Sequence, residues 1–163
     1  MSAAVLLRPT PPDHPQVLAL LRALDDYLAS LYEPEANHIL GVEALKQPDV
    51  TFLGAWIGDE VVGCGAVRTM PAEPGTGDRP YGEIKRMYVS PSHRGQRIAE
   101  RLIEALEGDL RARGIERALL ETGSDQVEAV RLYTRVGYAP RGPFGGYPDN
   151  GLSLFMEKRW SPT

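Results

Sequence analysis

The alternation of apolar and polar positions predicts a series of strands and one helix in the first half of the chain. Residues 5–8 have the composition of a short strand, and apolar residues then recur at helical spacing over residues 15–31. Two β-branched and apolar segments, residues 50–57 and 61–69, flank a Gly-Asp-Glu turn, which predicts a β-hairpin. A third strand follows at residues 81–89. We therefore expect the fold to begin with antiparallel strands.

The third of these strands alternates in a way that assigns its side chains to two faces. A regular pleat places on one face Ile84, Arg86 and Tyr88, and on the other Glu83, Lys85, Met87 and Val89. Only side chains on the same face of the strand can contact the same helix or ligand.

An amphipathic helix is the clearest pattern in the second half of the chain. Apolar residues at helical spacing over residues 98–110 oppose a charged face. A buried-type strand at residues 117–122, a helix at 126–136 and a last strand at 151–159 follow. The strand, helix, strand order predicts parallel pairing through a right-handed crossover. The expected fold class is α/β, an α+β mixed sheet with antiparallel first strands, then a parallel pair, and about four helices.

Size and charge narrow the class of protein. With 163 residues, of which 42% are apolar, residues 1–163 fit one compact domain with a sizeable core. The formal net charge of -4 lacks the basic excess of a nucleic-acid-binding protein. The start of the chain lacks the basic residues of a secretory signal, and no apolar run is long enough to cross a bilayer. We expect a soluble, cytoplasmic protein that binds neither nucleic acid nor a membrane.

The few cysteine and histidine residues argue against a disulfide framework and against a metal site. Cys64 is the single cysteine, and its place between two glycines in a strand favours a small buried side chain over a nucleophile. His14, His38 and His93 do not share a metal-ligand spacing. The sequence therefore predicts no metal, and His93 is interpreted as a solvated loop residue near a phosphate site.

A turn that leads from a strand directly into the long helix is the most informative segment. The free N–H groups at a helix N-terminus point at one spot, and the helix dipole adds about half a positive charge there. Gly95 allows close approach of the main chain, and Arg94 and Arg97 bring cations. These features predict a site for a pyrophosphate, although an ordinary turn with one Gly and two Arg residues has the same letters. Neither a Rossmann glycine pattern nor a P-loop occurs in the chain.

Residues 94–99 resemble the coenzyme A signature of the GNAT superfamily of N-acetyltransferases, which reads Gln or Arg, two residues, Gly, one residue, and Gly or Ala. Arg94 and Ala99 match its first and last positions, whereas Arg97 stands where the family usually has Gly. A left-handed backbone at Arg97 costs about 1–2 kcal/mol. We therefore expect a helical conformation at Arg97, with its N–H still directed at the phosphate.

The resemblance extends over most of the chain from Val50 onward. Residues 81–106 look like the family's fourth strand and third helix, and residues 120–138 look like its fifth strand and fourth helix. Residues 145–158 are similar to a subgroup of small-molecule acetyltransferases. The resemblance implies that the parallel strands splay around acetyl-CoA, which serves as cosubstrate.

The resemblance also implies roles for individual residues. Tyr133 lies where the family places the group that protonates the departing thiolate, although a half-buried aromatic packed on the sheet has the same pattern. The implied cofactor-binding residues are Met87, Tyr88, Val89, Arg94, Gly95, Gln96, Arg97, Ile98, Ala99 and Gln126. Glu83 is our candidate for the base that removes the amine proton, since an alkylamine has a pKa of about 10.4 and must be neutral to attack. An exposed strand Glu paired with Lys85 or Arg68 is an equally good interpretation.

The function that this resemblance implies is transfer of an acetyl group from acetyl-CoA to a primary amine of a small molecule by direct attack on the thioester. Two alternatives stay open: acetylation of a protein Lys or N-terminus, and a noncatalytic acyl-CoA-binding regulatory module. Acceptor recognition is expected from residues 28–45, 71–80 and 141–151, whose charges disagree. Tyr32, Glu33 and Glu35 suit a cationic amine, whereas Arg68 and Arg141 suit a carboxylate-bearing one. The family also implies that the last strands can form a homodimer.

Overall fold

One mixed sheet runs through the whole molecule. The computed structural model describes residues 4–32, 39–149 and 151–160. The strands are β1 (Leu6–Pro9), β2 (Val50–Ile57), β3 (Glu60–Met70), β4 (Tyr81–Val89), β5 (Arg117–Gly123), β6 (Ala139–Arg141) and β7 (Ser153–Arg159). Their order is β1-β2-β3-β4-β5-β7-β6, and among these described strands only the β4 and β5 pair is parallel. The expected fold class, antiparallel at the start and parallel across the long helix, is confirmed.

The described part of the chain forms four α-helices that pack on the sheet. They are α1 (Pro15–Leu31), α2 (Val42–Leu45), α3 (Ile98–Ala112) and α4 (Val127–Arg135). The sequence pattern missed α2 and β6, because a four-residue helix and a three-residue strand are too short to show a period. Across the described ranges, the helices lack the combined length and apolar character needed to cross a bilayer.

The two faces of the sheet are buried by different helices. Helix α3 contributes Ile98, Leu102 and Leu106 to the larger core on one face, together with Ile84 and Val89 of β4. Helix α1 covers the opposite face, where its buried residues Val17, Leu20 and Leu21 form part of a second core cluster. The apolar stripes that predicted both helices are thus the surfaces that hold them on the sheet.

A β-bulge interrupts the pairing of β4 with β3. The register against β3 shifts between Cys64 and Ala66, so that two residues, Arg86 and Met87, lie opposite Gly65. Arg86 adopts a left-handed conformation, with φ 57°. The prediction of a regular pleat is therefore wrong from Arg86 onward. Arg86 and Tyr88 lie on the α1 face, as Lys85 does. Met87 and Val89 lie on the α3 face with Ile84.

Strands β4 and β5 pair only at their beginning. The parallel register joins Gly82 to Ala118 and Glu83 to Leu119, and no pairing beyond these residues is found in the described part of the two strands. From Met87 onward the β5 side of β4 has no strand partner among the described residues, which leaves main-chain N–H and C=O groups available to a ligand. The splay that the family resemblance implied is present.

Candidate active site

A groove opens where β4 and β5 separate. It has a volume of about 1030 Å³ and runs from the N-terminus of α3, across the end of β4, to α4. Ten of the residues predicted from the sequence line it: Met87, Tyr88, Val89, Arg94, Gly95, Arg97, Ile98, Ala99, Gln126 and Tyr133. Gln96 is exposed and lies outside this lining, as does Glu83. The fold thus brings two distant segments of the sequence, residues 87–99 and 126–133, to one surface.

The N-terminus of α3 has no side-chain cap. Its first helical hydrogen bond runs from the N–H of Arg101 to the carbonyl of Arg97 over 3.1 Å. The amides before Arg101 therefore have no acceptor inside the helix and face the groove end occupied by Gly95 and Ile98. This arrangement is a site for an anion.

The conformation of Arg97 differs from the prediction. Arg97 is the N-cap residue of α3 and is left-handed, with φ 62° and ψ 23°, so the expectation of a helical Arg97 is wrong. Gly95, two residues earlier, is also left-handed, with φ 82°. The turn therefore has two left-handed residues, which direct its amides at one point. Gly95 adopts this conformation without strain, whereas Arg97 has a Cβ and is strained by about 1–2 kcal/mol.

The side chain of Arg94 closes the end of β4. Its Nε donates a hydrogen bond to the Val89 carbonyl over 3.0 Å, and its guanidinium lies 5.4 Å from the centre of the Tyr88 ring. Arg94 lines the groove, and its guanidinium has further N–H groups that can donate hydrogen bonds. Arg94 therefore brings a fixed cation to the anion-binding end.

Tyr133 lies at the other end of the groove, on α4. It is buried, and its ring packs edge-on against Tyr138 with 5.9 Å between ring centres. Burial raises the pKa of Tyr133 above its ordinary value of 10.0. The hydroxyl forms no hydrogen bond with any described residue and keeps its proton at physiological pH. Such a group can donate a proton to a bound molecule.

A second, smaller cavity of about 120 Å³ adjoins the groove on the α1 face. Leu24, Met87, Gln126 and Tyr133 line both cavities. The small cavity is further lined by charged and polar side chains that the sequence did not single out: Lys85, Arg86, Glu121 and Ser153. The two cavities therefore meet between Met87 and Tyr133.

The predicted base, Glu83, is buried next to the small cavity but lines neither cavity. Its Oε2 accepts a hydrogen bond from the Tyr147 hydroxyl over 2.5 Å and lies 3.5 Å from Lys85 Nζ. Burial and the Glu83 carboxylate together raise the pKa of Tyr147. The pairing with Lys85 was one of the two interpretations of Glu83, although the pair is buried and not exposed. The role of Glu83 as a base stays a prediction.

The structure also shows the surroundings of the other residues considered from the sequence. Cys64 is buried, its thiol donates to the Arg86 carbonyl over 3.5 Å, and burial raises its pKa to about 12. His93 is half-buried and lines the groove near Arg94, at the anion-binding end. Arg68 pairs with Asp49, and Arg141 pairs with Glu157, so neither lies at the small cavity. Glu33, Glu35 and His38 lie outside the described residues.

Lys85 and Glu121 are the functional candidates that sequence reasoning missed. Each lies in a strand whose pattern indicates burial, and a charged residue within such a strand was the available signal. Only the parallel pairing of β4 and β5 brings the two residues to one cavity.

Comparisons with known proteins agree with this geometry. Residues 17–138 match the model of the acetyltransferase (GNAT) family. The chain is 47% identical over 142 residues to the IAA acetyltransferase of Azospirillum brasilense. The aligned segment covers 87% of this chain and 89% of that protein. It is 36% identical to the N-acetyltransferase YsnE of Bacillus subtilis, over 88% of this chain and 92% of that protein.

Solved structures share the architecture. An acyl-CoA N-acyltransferase from Klebsiella pneumoniae superposes with a TM-score of 0.78 at 36% identity, over 97% of this chain and 99% of that chain. The PaiA N-acetyltransferase of Thermoplasma acidophilum, solved with coenzyme A, has a TM-score of 0.71 at 16% identity, over 96% and 99% of the two chains. The second likeness concerns the fold alone. The splayed strands, the uncapped turn and the sequence matches lead to one conclusion: the chain belongs to the GNAT family of acetyltransferases, and it is an acyl-CoA-dependent N-acetyltransferase.

Proposed function

We propose that this N-acetyltransferase moves the acetyl group of acetyl-CoA onto a primary amine of a small molecule, by direct attack of the amine on the thioester. The observation that carries the proposal is the meeting of the large groove and the small cavity between Met87 and Tyr133. A donor in the groove and an acceptor in the small cavity would have their reacting atoms at this junction. No covalent enzyme intermediate is needed when both substrates meet directly.

The residues along the groove fit the parts of acetyl-CoA in order. The uncapped amides at Ile98 and Ala99, with Arg94 and Arg97 beside them, suit the pyrophosphate. The unpaired edge of β4 suits the pantetheine amides, which would lie along it as an added strand. The amides from Met87 to Val89 then include a donor for the thioester carbonyl, on which negative charge grows during attack.

Proton transfer at the junction falls to two groups. Tyr133 is protonated at every physiological pH because burial raises its pKa, and it donates this proton to the sulfur as negative charge develops there on breaking of the C–S bond. The proton that leaves the amine would reach Glu83 through the Tyr147 hydroxyl and Lys85, since these two groups separate the carboxylate from the cavity. Glu83 therefore enters the proposal as a proton acceptor that acts through its neighbours.

The size of the acceptor cavity favours a small molecule over a protein segment. The cavity measures about 120 Å³ and is bounded by Leu28 of α1 and by Leu152 and Ser153 near the start of β7. A relative of 47% identity is named for acetylation of IAA. A protein acceptor needs an open cleft that passes an extended peptide.

The test is acetylation of a panel of primary amines, with thiol release followed by absorbance and the product identified by its mass. We expect release of coenzyme A that depends on the amine, together with an acetylated amine. A panel of Lys-containing peptides and protein N-termini serves as the comparison. Turnover of the peptides with none of the small amines would replace the small-molecule proposal by the protein one.

A further inference from the structure

The bulge in β4 has a consequence for the acceptor side of the sheet. In a regular strand successive side chains point to opposite faces, so Lys85 and Arg86 would be separated by the sheet. The extra residue opposite Gly65 lets both follow each other on the α1 face, and both line the small cavity. Two cationic side chains therefore face the space where the acceptor would bind.

Arg86 has hydrogen-bonding capacity left over. Its side chain is only 5% exposed, and its two terminal nitrogens donate to the Asp25 carboxylate over 2.7 Å and to the Leu21 carbonyl over 3.4 Å. Its Nε is buried and has no hydrogen-bond partner in the described part of the chain. A buried N–H without an acceptor is costly, and a guanidinium edge has the geometry of a carboxylate. A ligand carboxylate is the acceptor that this group lacks.

Tyr32 adds a second donor at the same cavity. Its hydroxyl is buried against Gly123, beside the side-chain amide of Gln126, and has no hydrogen-bond acceptor among the described residues. Burial raises the pKa of Tyr32, with the Gln126 amide opposing the shift, so the hydroxyl stays a donor. Two unsatisfied donors in one lining call for a ligand group that only accepts hydrogen bonds.

The opposite wall has the complementary charge. The carboxylate of Glu121 on β5 accepts a hydrogen bond from Ser153 Oγ over 2.7 Å and lines the cavity. Apolar side chains stand at the mouth, where Ile39 and Leu152 are each 42% exposed. The cavity thus offers a carboxylate for an ammonium group, cations for an anion, and apolar contacts near its entrance.

We infer that the acceptor carries a carboxylate next to its amine and an apolar side group, as an apolar amino acid does. Arg86, Lys85 and Tyr32 face the carboxylate, and Glu121 faces the ammonium group until its proton is lost. The inference rests on the proposed function, because it describes the acceptor of the same reaction.

Matched acceptors test it on the unmodified protein. Three sets are compared, built on alanine, leucine and phenylalanine, each containing the amino acid, its amide and its decarboxylated amine. We expect kcat/KM for the amino acids to be at least about tenfold higher than for both analogues. The amide is a demanding control, since an α-amino group beside a neutral carbonyl has a pKa of about 7.7–8.0 and is more often neutral. Equal or better turnover of the analogues would overturn the inference and leave the proposed function intact. Acetylation of no amine at all would overturn the proposed function.

Two variants separate recognition from folding. Tyr32→Phe removes only the unpaired hydroxyl, so we expect a KM about five- to tenfold higher for the amino acids, no change for the decarboxylated amines, and an unchanged unfolding midpoint. Glu121→Gln should raise KM for every amine in the panel. The control is Tyr81→Phe, whose hydroxyl donates to Glu73 outside both cavities and whose loss should leave KM unchanged. A Tyr32→Phe protein with unaltered KM for amino acids, or an equal rise for all amines, would contradict carboxylate recognition.

Discussion

Strand β4 consists of two halves that share one backbone and differ in what lies beside them. In the paired half, residues 81–83, hydrogen bonds join β4 to β3 on one edge and to β5 on the other. In the splayed half, residues 85–89, the register with β5 does not continue in the described part of the chain, and the strand bulges at Arg86. The paired half belongs to the core, and the splayed half lines both cavities. A binding site therefore begins at the residue where strand pairing stops.

Side-chain contacts from outside β4 stabilise the conformation of its splayed half. The guanidinium of Arg86 is held by Asp25 on α1, so the bulge is supported by a contact with a helix 61 residues earlier in the chain. The end of the strand is held by Arg94, which caps the Val89 carbonyl. A left-handed residue of this kind costs about 1–3 kcal/mol, and the surrounding contacts must offset that cost.

The largest effect is expected from the group that faces the splayed half across the gap. Tyr133→Phe removes the proposed proton donor and leaves the ring packed against Tyr138. We expect kcat to fall by about 10²–10³ while the dissociation constant of coenzyme A, measured by calorimetry, changes less than about threefold. A noncatalytic acyl-CoA sensor would show no turnover in either protein. Unchanged kcat in the variant would remove Tyr133 from the mechanism.

A matched pair of glycines separates the two halves directly. Gly82 in the paired half packs against Leu110, and Gly65 opposite the splayed half packs against Met87. Gly82→Val and Gly65→Val should each lower the free energy of unfolding by about 1–3 kcal/mol, because both add volume to a filled site. Only Gly65→Val should weaken coenzyme A binding, since Met87 lines the groove and must move. Equal loss of binding in both proteins would mean that the halves are not independent.

Much of the fold follows from local patterns in the sequence. The strand predicted at residues 81–89 and the long helix predicted from residue 98 coincide with β4 and with the start of α3, because side-chain periodicity is a local property. The parallel pair follows from the long crossover helix between its strands. These features needed no knowledge of distant contacts.

The acceptor side could not be predicted in this way. The bulge is supported by the contact between Arg86 and Asp25, and the small cavity is lined by Lys85 and Glu121, which come from two different strands. Periodicity predicts neither arrangement. Periodicity also favoured a helical Arg97, since the helix had to begin nearby. It could not predict the left-handed conformation that the turn requires at this residue.

A smaller effect is expected at that turn. Arg97→Gly relieves a left-handed residue with a Cβ and should raise the free energy of unfolding by up to about 1 kcal/mol. Arg97→Ala keeps the strain and should not stabilise. Both variants lose a cation near the predicted phosphate site, so their affinity for coenzyme A should fall and depend less on salt than that of the unmodified protein. Chemical denaturation and calorimetry at two salt concentrations measure these changes, and stabilisation by Ala as well as Gly would contradict the strain at Arg97.

The smallest effect is the pH dependence of stability that comes from two buried tyrosines, Tyr133 facing the splayed half of β4 and Tyr81 in its paired half. Burial raises the pKa of Tyr133 at the junction, and burial together with Glu73 raises that of Tyr81 in the paired half. Each group stabilises the fold fully below the unfolded pKa of about 10, and this stabilisation is lost as pH rises towards the higher folded value. Between neutral pH and pH 10.5 each tyrosine should therefore lower the free energy of unfolding by about 0.8 kcal/mol. A Phe variant at either position lacks this contribution, so its free energy of unfolding should decline less over the same pH range. Only Tyr133→Phe should also lower kcat, because both side chains are buried but only Tyr133 faces the gap. If Tyr81→Phe lowered kcat equally, the paired half would take part in the chemistry and the division of β4 into two halves would fail.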